Sequence, residues 1–217
     1  MPMDQKTIQN KPVKFLVVGR TASGKSTIVK EVCKKYELKQ VKSLTTRPPR
    51  PGEINNPECD HYFVSDEEFD DIINKKGCAA YTEINGYKYA TTFDELNNSD
   101  IYVIDPNGVS SLKAACGDRY KFVEIYIRVP YTTAKKRYME RGGTGAEFKS
   151  RYDKESSQFK EYENAHAFDY HILNDGSIEE SVDMMCRYIS YEEQINISEY
   201  ISELNNNMNE AVNVESN

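Results

Sequence analysis

Tryptophan is absent from the 217 residues, and no apolar run approaches the roughly 18 residues a membrane-spanning helix needs. The opening stretch, Met1 to Pro12, lacks the apolar segment of a signal peptide, so a cytosolic protein is expected. The five cysteines (Cys33, Cys59, Cys78, Cys116, Cys186) are odd in number and scattered, without a Cys-x-x-Cys pair. That spacing excludes a zinc ribbon or a dithiol redox motif and predicts reduced thiols. Leucine is scarce, at seven, and Leu, Ile, Val and Phe together make up about a fifth of the chain, close to the level at which strongly charged chains stay unfolded. The net charge is only −7, so folding is favoured. An excess of positive charge is also missing. Residues 192 to 217 carry six Glu and no Lys, Arg or Asp, which leaves the rest with 29 acids against 28 bases. A near-neutral body with an acidic tail has no field to hold a nucleic-acid polymer.

Repeats and long Gly/Ser or Pro linkers are lacking too, and what is present is an alternation of short apolar runs with segments of helical period. This is the α/β pattern. Buried strands are expected at Val13 to Val18, Ile101 to Ile104, Phe122 to Val129 and Tyr170 to Leu173. Helices are expected at Lys25 to Tyr36, Glu67 to Asn74, Gly108 to Ala115, Tyr131 to Glu140, Phe148 to Glu163 and Ser177 to Tyr191. Between Leu44 and Thr91 polar loops surround two strand-like runs, Ala79 to Ile84 and Tyr87 to Thr91, joined through Asn85-Gly86, a hairpin signal. The reading is a parallel sheet flanked by helices, carrying a small mixed α/β insert over about 44–91. In the tail, Ile197, Ile201, Leu204 and Met208 fall on one stripe of a helix, which either lies on the body or pairs with a second chain as a homodimer.

Gly19 to Thr27 reads GRTASGKST, directly after the first strand and before a helix, the context a phosphate-binding Walker A loop demands. Gly19 and Gly24 let the backbone curl through Ala22 and Ser23, so that its amides converge on phosphate oxygens at a helix N-terminus. Lys25 is expected to bridge the β- and γ-phosphates of ATP. Ser26 would ligate Mg2+, which keeps most of its waters, and Thr27 would support the α-phosphate. Asp105 ends the Ile101 to Ile104 strand at the edge where such sheets place their sites. It suits a metal- or phosphate-site acid, or a helix N-cap.

The segment Ser43 to Arg50, SLTTRPPR, followed by Gly52-Glu53, holds two Arg three residues apart on a Pro-stiffened fork suited to phosphate. With Phe63-Val64-Ser65, Glu68-Phe69, Gly86, Tyr89-Ala90-Thr91, Ile104-Asp105 and Gly108, it resembles the guanylate kinase family over most of residues 13–191. The resemblance implies a P-loop NTPase-type fold with a nucleoside-monophosphate-binding insert and a lid at about 141–151. It also implies Mg2+-dependent transfer of the γ-phosphate of ATP to a nucleoside or deoxynucleoside monophosphate, GMP or dGMP first. By the same resemblance, Ser43 and Thr91 would touch the base, and Arg47, Arg50 and Tyr89 the acceptor phosphate. Arg137, Arg141 and Arg151 would clamp the transferring group, and Asn174-Asp175 would lie beside the donor adenine.

Three positions depart from that pattern. His61, with two extra residues upstream, stands where the family carries a phosphate-binding Tyr, and as a donor it can serve the same phosphate. Val103 replaces the first of two acids, leaving Asp105 alone. Counted back from Gly86 without a gap, Ala80 falls on the guanine-reading Glu, and Glu83 could replace it only if the hairpin were rebuilt. Two other readings follow: an acceptor base other than guanine, which Ala80 leaves open, and a non-catalytic interaction module, which the intact Gly-Lys-Ser-Thr argues against.

Overall fold

The computed structural model describes residues 11–50, 52–165 and 168–215, so most of the expected flexible N-terminus (1–12) lies outside it. The chain runs β1 (Val13–Val18), α1 (Lys25–Tyr36), β2 (Ser43–Thr45), β3 (His61–Phe63), α2 (Asp66–Lys76), β4 (Ala80–Ile84) and β5 (Tyr87–Thr91). It continues through α3 (Phe93–Asn97), β6 (Ile101–Val103), α4 (Pro106–Cys116), β7 (Lys121–Arg128), α5 (Tyr131–Glu140), α6 (Gly145–Asn164), β8 (Tyr170–Leu173) and α7 (Ile178–Glu215).

Two four-stranded sheets result. The first, in the order β6-β1-β7-β8, is wholly parallel. Its strands are apolar along nearly their whole length because both faces are covered, and the two hydrophobic clusters split across it. One face packs Phe15, Val17, Ile125 and Ile127 against α1 and α7, and the other packs Leu16, Val18 and Tyr126 against α4 and α6 residues such as Leu112, Phe159 and Tyr162. Strand order reverses at β1, so the crevice at its C-terminal end is where ligands of such sheets bind. The second sheet, β3-β2-β5-β4, is mixed and carries its own small core of Leu44, Phe69 and Ala90. Its β4–β5 hairpin turns at Asn85 and Gly86, with φ of 53° and 78°, as a tight primed turn requires.

Several elements differ from expectation in extent. Strands β2 and β3 fall in a segment read as loops, because three residues are too few to show a two-residue period. Helix α6 begins at Gly145, three residues early, because Thr144 and Glu147 form a reciprocal capping box. Helix α7 does not stop at Tyr191 but continues to Glu215, since neither Gly nor Pro interrupts residues 178–215. Glu192, counted with the acidic tail, is buried, accepts from the Tyr170 hydroxyl at 2.5 Å and faces Lys121 at 3.3 Å. It belongs to the body. The side chains of Ile197, Ile201, Leu204 and Met208 lie outside the described residues.

Candidate active site

The loop from Gly19 to Lys25 leaves the end of β1 and enters α1 through Gly24, whose φ of 93° is one that residues with a Cβ rarely adopt. A Cβ at Gly24 would also stand 2.3 Å from the Asn174 amide nitrogen, so close packing and conformation both require glycine there. Ala22 is left-handed as well, at φ 60°. The Lys25 ammonium lies back over the loop, donating to the Gly19 carbonyl and, at 3.0 Å, to that of Arg20. Burial pushes its pKa down to about 8; Glu155 and Asp105 oppose that shift, and Arg151 and Arg141 reinforce it. Four charged groups therefore face the lysine.

Asn174 is fully buried and engaged at both ends of its amide: Nδ2 donates to the Ser23 carbonyl at 2.8 Å and Oδ1 accepts from the Ser181 hydroxyl at 3.2 Å. These two bonds pin the loop to the sheet. Arg137 donates to the Asn174 carbonyl at 3.0 Å and reaches the same corner of the loop at Gly24.

The other half of the loop is braced by α6. Thr21 donates to Glu155 from its amide at 2.9 Å and from its hydroxyl at 2.5 Å. Arg20 makes a two-pronged bond to Glu163, at 3.1 Å for each arm, and its guanidinium lies 5.0 Å from the ring centres of both Tyr152 and Phe159. The Tyr126 hydroxyl completes the Glu163 site. Tyr152, Glu155, Phe159 and Glu163 follow one another at spacings of three, four and four, a single helix face. None of these contacts was read from the sequence, although that spacing was there as a signal.

A cavity of about 230 Å³ opens between the two sheets, lined among others by Lys25, Ser43, His61, Tyr89, Tyr102 and Asp105. Arg47, Arg50 and Arg151 share both this cavity and an adjoining opening of about 500 Å³ beneath α6. Arg47 is held flat by Glu53, at 2.9 and 3.1 Å, and its guanidinium lies 5.3 Å from the Phe63 ring centre. Glu53 also accepts from the Arg50 amide at 2.6 Å, which closes the Arg-Pro-Pro-Arg fork on itself. Burial lowers the pKa of Arg50, and Arg47 and Arg151 push the same way. Cations gathered this tightly repel one another, and an anion between them relieves that repulsion. His61 lines the cavity with Nδ1 3.1 Å from the Ser43 hydroxyl, and burial, with Arg47, brings its pKa down to about 4. It is neutral at pH 7, a hydrogen-bonding partner rather than a cation.

One wall of the cavity is formed by β4 and Tyr102. Ala80 is buried, lines the cavity and sits opposite Thr91 in the β4–β5 ladder. Thr91 is itself fully buried, with a hydroxyl that lacks a protein partner among the described residues. Glu83 is exposed, pairs with Lys88 in the ladder and is not among the cavity residues, so the hairpin is not rebuilt to bring it in. Asp105 is the N-cap of α4: its Oδ1 accepts from the amides of Asn107 (2.9 Å) and Gly108 (3.2 Å), from the Thr82 hydroxyl (3.3 Å) and from Gln158 (2.7 Å). Ser26 and Thr27 open the first turn of α1, and Arg141 is the exposed C-cap of α5.

The comparisons with known proteins agree with this geometry. The family model described as guanylate kinase matches residues 11–192. A guanylate kinase of Thermus thermophilus is 30% identical over 174 residues, 77% of this chain and 76% of that protein. One of Francisella tularensis is 30% identical over 184 residues, 80% of this chain and 94% of that protein. The crystal structure of a guanylate kinase from Anaplasma phagocytophilum superposes with a TM-score of 0.60 at 25% identity, covering 84% of this chain and 86% of that one. A strand-anchored phosphate loop, an arginine fork on a mixed insert and a sequence match that runs through both place this chain in the guanylate kinase family.

Proposed function

We propose that the protein transfers the γ-phosphate of ATP directly to the phosphate of GMP or dGMP, giving ADP and the nucleoside diphosphate. The observation that carries this reading is the convergence of Arg47, Arg50 and Arg151 on one cavity that also holds the phosphate-loop lysine. A hydrolase has no need of a second phosphate site 25 residues along the chain, and a non-catalytic module has no need of either. The acceptor's second pKa is about 6, so at neutral pH it is already mostly a dianion and a competent nucleophile without a strong base. What the protein supplies is alignment and charge neutralisation. Arg47 and Arg50, fixed by Glu53, hold the acceptor; Lys25, Arg151, Arg137 and Arg141 face the group in flight; closure of the insert and of the Gly142 to Ala146 lid over both nucleotides keeps water out.

A divalent metal fits the donors present. Ser26 and the Oδ2 side of Asp105 are hard oxygen donors, and among the described residues no cluster of three His, Cys, Asp or Glu forms a closed cage. That donor set suits Mg2+, which retains waters and takes phosphate oxygens. When bound, the ion would neutralise charge on the donor's β- and γ-phosphates. The partners on this reading are two nucleotides in the cytoplasm rather than a polymer; among the described residues no helix is long and apolar enough to cross a membrane.

The test is ADP release with GMP, dGMP and each other nucleoside monophosphate in turn, in the wild type and in Lys25→Ala. Loss of a clamp on transition-state charge is expected to cost about 10²–10³ in rate. Near-normal turnover by a folded Lys25→Ala protein, or no turnover of GMP by the wild type, would dismiss this reading.

A further inference from the structure

The cavity has a problem at its base end that the family reading leaves unsolved. Guanine presents two adjacent donors, a ring N–H and an exocyclic amino group, and specificity requires acceptors facing them. Ala80 offers none, and Glu83 points away. Two carboxylates other than Asp105 stand near the cavity, Glu155 and Glu53, and both are committed, one to Thr21 and the other to Arg47 and the Arg50 amide.

Gln158 is placed differently. It lies on α6, half-buried, and lines the cavity with Ala80, Thr82 and Asp105. Its Nε2 donates to Asp105 Oδ1 at 2.7 Å. Asp105 Oδ1 is an acceptor, since two backbone amides donate to it, so this contact assigns the Gln158 amide nitrogen to Asp105 and leaves its oxygen without a protein hydrogen bond among the described residues. The aspartate does not depend on that bond, because the same oxygen already accepts from Thr82 and from two amides of α4. Orientation therefore runs from Asp105 to Gln158.

We propose that Gln158 is a specificity-determining residue for the acceptor base, its Oε1 accepting from the exocyclic amino group of guanine in place of the carboxylate missing at Ala80. The inference rests on the guanylate kinase reading above and deepens it. The base is then read by an acceptor on α6 rather than on the hairpin. A purine without the amino group, as in IMP, leaves the Gln158 oxygen unpaired.

The experiment compares kcat/KM for GMP and IMP in the wild type, Gln158→Leu and Gln158→Met, with KM for ATP measured alongside. The wild type is expected to favour GMP. Both variants are expected to reduce the GMP-to-IMP ratio about tenfold, the worth of one hydrogen bond, with KM for ATP unchanged. Adding Ala80→Glu to Gln158→Leu is expected to restore the preference from the opposite wall. Equal losses on GMP and IMP would show a merely structural residue and overturn the proposal, as would an unchanged ratio. If neither variant folds, a structure of the wild type with bound GMP decides it: a Gln158 Oε1 more than 3.5 Å from the amino nitrogen overturns the inference. A wild type that ignores GMP condemns the kinase reading itself, whereas turnover of GMP with an unchanged ratio condemns only the role of Gln158.

Discussion

Single side chains decide what the acceptor pocket can distinguish. Ala80 is buried in the wall at its base end, so a glutamate there would face the cavity directly, and Ala80→Glu is expected to raise the preference for GMP over AMP by tenfold or more. Glu83→Gln, on the outward side of the same strand, should leave it unchanged; kcat/KM for both nucleotides in each variant checks the pair. His61 carries a pH dependence whose sign is fixed by its surroundings. Burial, with Arg47 beside it, lowers its pKa from 6.5 to about 4, so the unfolded chain takes up a proton at a pH where the folded one does not. The folded state's advantage is complete above pH 6.5 and is lost as pH falls toward 4, by about 2–3 kcal/mol. Thermal melts across that window should show the loss, and His61→Gln should flatten it.

At the scale of elements, the phosphate loop is not free-standing. Asn174 holds it at Ser23 from the sheet side, while Arg20 and Thr21 tie it to α6 through Glu163 and Glu155. The helix that carries Arg151 thus also carries the loop's brace. Arg20→Ala and Glu163→Ala are each expected to destabilise the protein by about 1–2 kcal/mol, because each leaves a partly buried charge unpaired. Each should also lower kcat more than it raises KM for GMP. The double variant should be little worse than either alone, since the two remove one interaction; a double-mutant cycle on both Tm and kcat measures this. Additive effects would mean that the residues act separately. Glu192 ties α7 to the body through Tyr170 and Lys121.

For the whole molecule, the acceptor site lies between the two sheets and under α6, so a ligand there binds the assembled form only. GMP and ATP should each raise the melting temperature, through a stabilisation that grows with the logarithm of concentration and reaches about 2.7 kcal/mol at a hundred times Kd. Replacing both Arg47 and Arg50 with alanine should abolish the shift with GMP and keep the shift with ATP, because on the proposed reading these arginines hold the acceptor. Calorimetric melts with each nucleotide check it. Equal loss of both shifts would show that the fork supports the fold rather than the ligand.

Chemistry carried by contiguous residues was legible in the sequence itself. The Gly19 to Thr27 loop, the Ser43 to Arg50 fork and the Asn85-Gly86 hairpin each depend on neighbours a few bonds apart, and backbone geometry translates such spacing directly into shape. The buried strands of the parallel sheet were equally visible, because strands covered on both faces read as unbroken apolar runs. What only the tertiary structure decided was the use of residues far apart in the chain. It set Glu155 and Glu163 against the phosphate loop, engaged both ends of Asn174, turned Glu83 outward and brought Gln158 against Asp105 beside Ala80. Local spacing is silent on such pairings, since they follow from how α6 crosses the sheet, and that crossing is fixed by the packing of Phe159 and Tyr162 against Tyr126 and its neighbours in the core.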